Sequence, residues 1–304
     1  MKHFQLIGVI GFITCLFTFS VALTSCSSDD EQEPSPDGRK LRQLTISEVP
    51  FTRATLTDNT TALAATWNAG DAATYFNLSS YDPANMDYGS LIASSGAATS
   101  AFTGTVRCTA GDNLALLYPA ANPIISGDDR GKFPITLAGQ DGTLGNIAAN
   151  YHYTYGVGTV TSVTDGTANA TISSMRSLLA VCKFTFKDGG NNPIPVKTLQ
   201  ISYAMDDAEY GLSRLNYPLR GKVAPAADAA TVVANPVEQR EWVAPLSIDL
   251  GSETSGGVYV ALYPVTGMLF HFTVTNSSGN YSGTATAKLN AGKYYPVTLK
   301  LTKE

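Results

Sequence analysis

The sequence predicts an all-β protein that is built from antiparallel β-sandwiches. Apolar and polar residues alternate with period two in almost every patterned segment, which is typical of strands with one buried face. Turns rich in glycine, proline, asparagine and aspartate separate these segments, and helical periodicity is nearly absent. This spacing favours antiparallel sandwiches over a fold in which strands and helices alternate.

The chain starts with the features of a secretory signal, and residues 1–25 are predicted to be a lipoprotein signal peptide. An apolar stretch from Leu6 to Leu23 follows a basic start, and small residues then precede Cys26. Lipidation of Cys26, with acyl chains such as palmitate, would anchor the mature chain to a membrane. The alternatives are an ordinary signal peptide with an incidental cysteine and a single transmembrane helix, but the apolar run is short for a helix that spans a bilayer.

Residues 26–40 are predicted to form a disordered acidic tether. The segment is charged, contains proline and cannot bury a core. The acidic run directly after Cys26 resembles the signal that sends Bacteroidetes lipoproteins across the outer membrane to the cell surface. A solvated spacer that carries no such address is the alternative.

Charge and cysteine content limit the classes of partner and scaffold. The formal net charge is −5, and no basic cluster is present, so a nucleic-acid partner is not predicted. Of the four cysteines, Cys15 would leave with the signal peptide and Cys26 would carry lipid. Cys108 and Cys182 could then form one disulfide at most. Each lies in an apolar strand-like run in a different half of the chain, and we expect both to be buried singly.

The mature chain is long enough for two domains. A boundary near Ala170 would give an N-terminal β-sandwich, residues 41–170, and a C-terminal β-sandwich, residues 171–304. The apolar Tyr-Pro-terminated segment Asn113 to Pro119 has an echo in Tyr259 to Pro264, which supports two similar halves; coincidence between short apolar strands is the alternative. The clearest period-two segments are 106–118, 151–163, 178–186, 196–203, 258–263, 269–275 and 295–301.

No constellation in the sequence predicts catalysis, a metal site or a cofactor. After export only His152 and His271 remain, and each is predicted to face solvent from the polar face of its strand. Metalloprotease, nucleotide-binding and α/β-hydrolase motifs do not occur. The acidic clusters at 128–129 and 206–209 could bind Ca²⁺, but their spacing is far from that of an EF-hand, and solvated loops are favoured.

Six short motifs follow the cysteine in a recognisable order. They are Phe51-Thr52-Arg53-Ala54-Thr55, Thr66-Trp67-Asn68-Ala69-Gly70-Asp71, Leu116-Leu117-Tyr118-Pro119, Gly139-Gln140-Asp141-Gly142-Thr143, Ser177-Leu178-Leu179-Ala180-Val181-Cys182-Lys183-Phe184 and Asn290-Ala291-Gly292-Lys293-Tyr294-Tyr295-Pro296-Val297. Over most of the mature chain they resemble the fimbrillin-like lipoprotein family of Bacteroidetes, pilus subunits that exchange strands with their neighbours. The resemblance implies two transthyretin-like sandwiches in series. One departure is that members often carry histidine before the Leu-Ala strand, whereas this chain has Met175-Arg176-Ser177 there.

The resemblance also implies how such subunits assemble. Apolar residues alternate within 43–52, with an interruption at Glu48, and predict a strand of the first sandwich. In the family, a trypsin-like Arg-specific protease cuts after an arginine such as Arg53, before Ala54, and would release the lipidated strand 43–53. A strand from another fimbrial subunit would then fill the open edge by β-augmentation and build a head-to-tail filament. The alternative for Arg53 is an exposed arginine beside a threonine-rich turn.

The implied function is that of a structural subunit of a cell-surface fimbria that contributes to adhesion. Segment 295–301 has the pattern of a core strand and is followed by three residues. This fits a tip-like subunit that accepts a strand without donating one. Alternatively, this last strand could itself be displaced and donated. The runner-up is a surface glycan-binding lipoprotein of a polysaccharide-uptake system, and a secreted hydrolase is the third hypothesis. Aromatic platforms for a glycan would come from Trp242, Tyr81, Tyr88, Tyr151, Tyr153 and Tyr155, although strand tyrosines more often pack in cores.

Overall fold

The protein is described by a computed structural model that covers residues 37–50, 55–58, 63–80, 86–205, 214–226, 231–234 and 243–304. Strands dominate these ranges, and helix within them is confined to three short turns. The predicted all-β class is therefore confirmed. Within the same ranges, no helix is long and apolar enough to cross a membrane.

The first ten strands lie between residues 40 and 177. They are β1 (Lys40–Pro50), β2 (Thr55–Asp58), β3 (Leu63–Thr66), β4 (Ala72–Asn77), β5 (Tyr88–Ala93), β6 (Thr99–Cys108), β7 (Asn113–Tyr118), β8 (Phe133–Thr136), β9 (Thr154–Val163) and β10 (Thr167–Ser177). The helical turns are a 3₁₀ turn (Leu78–Ser80), α1 (Leu144–Asn146) and a π turn (Ile147–Tyr151).

Seven of these strands close into a barrel in the order β1, β10, β9, β7, β4, β5, β6, and β6 pairs again with β1. Every neighbouring pair is antiparallel except β1 and β10, which run parallel. Because side chains alternate between the two faces of a strand, every second residue reaches the barrel interior. Leu44, Phe102, Leu116 and Val160 are among the buried residues that fill it.

Twelve further strands follow. They are β11 (Ala180–Lys187), β12 (Val196–Met205), β13 (Arg214–Pro218), β14 (Arg220–Ala224), β15 (Thr231–Ala234), β16 (Val243–Ala244), β17 (Leu246–Thr254), β18 (Val258–Leu262), β19 (Val265–Asn276), β20 (Gly279–Leu289), β21 (Tyr294–Lys300) and β22 (Thr302–Lys303). One sheet has the order β16, β13, β12, β19, β20, β22, with β17 also paired to β12, and a second has the order β18, β11, β21. A third sheet joins β15 and β14 to β8 from the first half.

Two apolar cores explain why some barrel strands are continuous apolar runs in the sequence. In β7, Leu114 and Leu116 belong to the barrel core, whereas Ala115 and Leu117 belong to a second core. That second core also holds Phe184 and Phe272 from later strands. A strand that is covered on both faces has no polar face, so its sequence loses the alternation of a half-buried strand.

Each predicted period-two segment overlaps a strand, although 151–163 and 178–186 begin before β9 and β11, and 106–118 divides into the end of β6 and all of β7. Both members of the internal echo contain a strand, β7 in one case and β18 in the other. The boundary predicted near Ala170 falls inside β10. The division into domains 41–170 and 171–304, and the finer expectation of two tandem transthyretin-like sandwiches, stay predictions.

Candidate strand-exchange site

Strand β1 lies inside the barrel wall rather than at an edge. It pairs antiparallel with β6 along most of its length and parallel with β10 through residues 43–46. Leu44, Ile46 and Val49 point inward, and each is 0% exposed. Fully burying an aliphatic side chain of this size contributes about 1.5–3 kcal/mol. The strand begins at Lys40, earlier than the predicted start at residue 43.

The interruption at Glu48 is a break in strand register. Pairing of β1 with β6 shifts between Ile46 and Val49, where Ser47 and Glu48 are both exposed. Such an irregularity lets the strand resume with an apolar residue inward after two outward residues. The interrupted alternation in the sequence therefore corresponds to this shift in the pairing of β1 with β6.

Trp67 packs in the barrel core beside the C-terminal end of β1. Its indole Nε1 donates a hydrogen bond to the carbonyl oxygen of Val49 at 3.3 Å, and the residue is 1% exposed. Edge-to-face contacts with Phe102 and Tyr118 place the ring centroids 4.8 and 5.2 Å apart. This tryptophan lies in one of the six motifs, and it contacts β1 directly.

An ion pair holds the other end of β1. The guanidinium of Arg39 donates from Nε and from its second terminal nitrogen to the two carboxylate oxygens of Asp112, both at 2.8 Å. The Asp112 side chain is 4% exposed and that of Arg39 is 13% exposed. Asn77 Nδ2 and the backbone amide of Thr109 also donate to Asp112, at 2.8 and 3.0 Å. The carboxylate therefore has four donors, and two of them are nitrogen atoms of Arg39.

Arg42 is a second polar attachment of β1. This arginine is 9% exposed, and its Nε donates to the carbonyl oxygen of Thr164 at 2.7 Å. A terminal nitrogen donates to the carbonyl oxygen of Cys108. Arg39 and Arg42 were not among the predicted site residues, and neither was Asp112.

Charge and burial act in opposite directions on the two carboxyl groups near this end. Burial alone would raise the pKa of Asp112, but the hydrogen bonds from Arg39, Asn77 and the Thr109 amide outweigh it, so its pKa is lowered. Asp87 has weaker compensation. Its burial raises the pKa to about 6, against the opposing effects of a hydrogen bond from Tyr75 and the charge of Arg107.

The raised pKa of Asp87 predicts a particular pH dependence. Between the ordinary aspartate value and about pH 6, the folded state binds more protons at this residue than the unfolded state, so stability falls as pH rises through that interval. Asp87→Asn removes this titration, and the variant should gain stability relative to the parent as pH rises from 4 to 7. Urea unfolding at pH 4, 5.5 and 7 measures the difference. Asp128→Asn, at an exposed position, is the control; a relative loss of stability for Asp87→Asn at pH 7 would contradict the assignment.

Several predicted residues lie outside the described ranges. They include the lipidation site Cys26, the processing site Arg53 and Ala54, the glycan candidates Trp242 and Tyr81, and the acidic cluster 206–209. Their roles stay predictions. The described chain ends at Pro50 and resumes at Thr55, so described residues flank the processing site on both sides.

The prediction that His152 faces solvent is wrong. The residue is 1% exposed, and its Nε2 lies 2.7 Å from the Ser177 hydroxyl oxygen. It precedes β9, so strand alternation did not apply to it, and the nearby Thr154, a polar residue, is itself 0% exposed. His271 is half-buried within β19.

Three of the tyrosines proposed as glycan platforms are unsuited to that role. Tyr151, Tyr153 and Tyr155 are 7%, 7% and 3% exposed and belong to the second core. Only Tyr88, at 39%, is exposed among the candidates that the structure describes. A ring must be accessible to stack on a sugar, so these three cannot form a platform.

The acidic residue Asp129 and the two cysteines have structural surroundings in the described part of the chain. Asp129, proposed for Ca²⁺, instead pairs with Lys132 at 3.0 Å and with Lys222. Among the described residues, no three His, Cys, Asp or Glu side chains are grouped closely enough to hold a metal ion. Cys108 and Cys182 are both buried and free, which confirms the prediction that they are buried singly.

The last long strand, β21, lies at the edge of its sheet, and the short β22 after it pairs with β20. Strand β21 pairs in parallel with β11 and has no other partner in the described sheets. Val297 and Leu299 are half-buried and Leu301 is buried, in line with the predicted alternation. Val297 and Leu299 line an apolar cavity of about 310 Å³ together with Phe270 and Phe272.

Comparison with known proteins gives structural likenesses alone. No protein-family model matches the sequence, and no curated protein matches it. A candidate cell adhesion protein of Bacteroides ovatus is 13% identical with a TM-score of 0.49, and the match covers 86% of this chain and 92% of that one. A candidate cell adhesion protein of Bacteroides uniformis is 16% identical with a TM-score of 0.48, covering 89% and 95%.

A third similar structure is the tip fimbrial protein Mfa3 of Porphyromonas gingivalis with a C-terminal truncation. It is 13% identical with a TM-score of 0.38, and the match covers 80% of this chain and 81% of that one. None of these three structures is described as an enzyme. The three structures are described as two cell adhesion proteins and one tip fimbrial protein.

Proposed function

We propose that this chain is a structural subunit of a cell-surface fimbria, assembled by protease-triggered strand exchange and contributing to adhesion. Lipid on Cys26 holds the precursor at the outer membrane, and an Arg-specific protease cuts between Arg53 and Ala54. Another fimbrial subunit then supplies a strand in place of β1. In this proposal the barrel is the first of two transthyretin-like units, and the subunit occupies a tip-like position.

One observation carries the proposal: the strand that cleavage would release is a fully integrated wall strand of the barrel. Loss of an edge strand would leave a sheet one strand shorter, whereas loss of β1 would leave unpaired backbone groups on both β6 and β10. It would also uncover the apolar interior that Leu44, Ile46 and Val49 now fill. A groove with these properties strongly favours binding of a replacement strand.

The proposed processing site is placed suitably for this event. Arg53 comes shortly after the end of β1 at Pro50 and shortly before β2 begins at Thr55. A cut there separates β1 from the rest of the chain without shortening any other strand of the barrel. Asp58 at the end of β2 accepts hydrogen bonds from Lys183 Nζ and Tyr259 OH at 2.8 and 2.7 Å, so the new N-terminal segment stays attached to the body.

The test compares the mature chain with its Arg53→Gln variant under limited digestion by an Arg-specific protease. We expect cleavage of the parent at Arg53-Ala54, followed by SDS-resistant ladders when a strand-donating fimbrial subunit is added. The rate of cleavage of the variant at that bond should be lower by at least roughly 100-fold. The protease has a pocket that binds the guanidinium of arginine, and glutamine leaves a buried polar group of that pocket unpaired. In a Trp242→Phe background, Trp67 is the one tryptophan left, and its emission should shift to longer wavelength when β1 leaves and return when a strand replaces it.

Arg130→Gln is the matched control, because Arg130 lies in an exposed turn. This change should leave cleavage at Arg53 and ladder formation as in the parent. A parent chain that resists cleavage at Arg53, or that is cut there and remains a monomer that accepts no strand, would overturn the proposal.

A further inference from the structure

We infer that Asp112 is a charge-selective docking point at one end of the β1 groove, and that a replacement strand must carry a basic residue to pair with it. The inference rests on the proposed strand exchange and adds the chemistry of the incoming strand. In the intact chain the position is occupied by Arg39, five residues before the first fully buried apolar residue, Leu44.

The pairing partner of Asp112 leaves with the strand. Cleavage at Arg53 would release Arg39 and also Asp37, which pairs with Arg39 on its exposed side. Asp112 would keep its bonds from Asn77 Nδ2 and from the Thr109 amide, both of which are neutral donors. A carboxylate that is 4% exposed would then lack a counter-charge. Removing one partner of a buried pair is costly because the other charge remains.

The surroundings reinforce the preference for a cation. Asp87 lies close enough for the charge of Asp112 to raise its pKa further, and the charge of Arg39 lowers it. Arg107 is the neighbouring base that stays, and its guanidinium donates to the backbone carbonyl of Arg39 at 3.1 Å. Release of the segment would thus separate Asp112 and Asp87 from the guanidinium of Arg39, as well as that of Arg42, and leave them with Arg107.

The geometry specifies the position of the base in the incoming strand. The replacement must run antiparallel to β6 and parallel to β10 to reproduce the backbone pairing of β1. Its apolar residues must then fall at the positions of Leu44, Ile46 and Val49, and its base five residues before the first of these. Arginine suits the site best, because its planar fork can bind both carboxylate oxygens at once, as Arg39 does.

The experiment offers labelled peptides with the sequence of residues 36–53 to the processed full chain and measures uptake by competition. The peptides are the parent sequence, R39Q and K40Q. Lys40 is the matched control, because its side chain is 55% exposed and pairs with the fully exposed Asp165 at 3.8 Å. We expect R39Q to bind at least 10-fold more weakly than the parent, and K40Q to bind within about twofold of it.

The same peptides are then offered to the processed Asp112→Asn chain, in which the advantage of the parent over R39Q should fall to less than about threefold. If R39Q binds wild-type protein as well as the parent peptide does, the inference is overturned, while strand exchange stands. If Arg107 neutralises Asp112 after release, the parent and R39Q peptides would also bind with equal affinity, and this result would overturn the inference in the same way. Uptake of no peptide at all overturns strand exchange itself and this inference with it.

Discussion

A chain that carries Ile46→Asp is expected to lose at least about 3 kcal/mol of stability before processing, because the substitution places a carboxylate in the dry interior of the barrel. Ile46 is 0% exposed and pairs with Phe102 of β6 and Ala170 of β10. Urea unfolding followed by Trp67 emission, in the Trp242→Phe background, measures the loss. Ser47→Asp is the control at the next residue, which is exposed, and it should change stability by less than about 0.5 kcal/mol.

The same substitution should have a second effect once Arg53 has been cut. A strand held about 3 kcal/mol less tightly would be displaced by a parent-sequence peptide roughly 100-fold faster, since each 1.4 kcal/mol is a factor of ten. The product would then be as stable as the exchanged parent, because the altered strand has gone. An Ile46→Asp chain that unfolds at the same urea concentration as the parent would show that β1 contributes little to the barrel.

Gly158→Ala is expected to destabilise the barrel by about 3 kcal/mol or more, which is the second large effect. A Cβ at this position would lie 1.9 Å from the carbonyl oxygen of Thr171 and 2.5 Å from Ile172 Cγ1. Gly158 lies between β7 and β10, paired with Leu114 and Ile172. The clash is with backbone, so relief requires the β9–β10 ladder to separate rather than a side chain to rotate.

Gly166→Ala provides the comparison within the same hairpin. This glycine lies in the turn between β9 and β10, and a Cβ there would meet nothing within 4 Å. Alanine should leave stability within about 0.5 kcal/mol or raise it slightly, because it restricts the unfolded chain. Thermal or urea unfolding measures the stabilities of the Gly158→Ala and Gly166→Ala variants under the same conditions. Equal stabilities would contradict the close approach of β9 to β10.

Local pattern was sufficient to predict most of β1 and the interruption of its alternation at Glu48. Leu44, Ile46 and Val49 lie within a few residues of one another, and the side-chain period of a strand determines which of them face inward. The two buried, unpaired thiols followed from the same reasoning, since each cysteine lies in an apolar strand-like run. These features depend on neighbours in the chain, which a sequence displays directly.

The ion pair at the end of β1 could not be found this way. Arg39 and Asp112 are 73 positions apart, and each sits in a segment whose composition indicates solvent exposure. Arg39 lies near the end of the predicted acidic tether. Asp112 follows Gly111, whose φ of +88° marks a turn, and aspartate in a turn is ordinarily solvated. Only the closure of the barrel brings the two together.

Burial on both faces accounts for the burial of Tyr155, whereas His152 precedes β9 and is not subject to strand alternation. The barrel strands β7 and β9 contact the barrel core on one side and the second core on the other, so Tyr155 and Ala115 are as buried as their inward-facing neighbours. Period two indicates that faces alternate, but it does not indicate that the outer face is covered by later strands. That covering surface comes from distant parts of the chain, such as Phe133 of β8 and Phe184 of β11, which no local pattern can place.

The parallel pairing of β1 with β10 has a consequence for the order of folding. Gln43 pairs with Thr167, so this contact closes a loop of more than a hundred residues, whereas the contacts within β4 to β7 and between β9 and β10 are local. Contacts of long sequence separation form late, because the entropy of closing the loop must be met first. On folding, β1 would therefore join a barrel wall that is already largely assembled. If the proposed strand exchange occurs, first folding and polymerisation would share one elementary step, the docking of a free strand between β6 and β10.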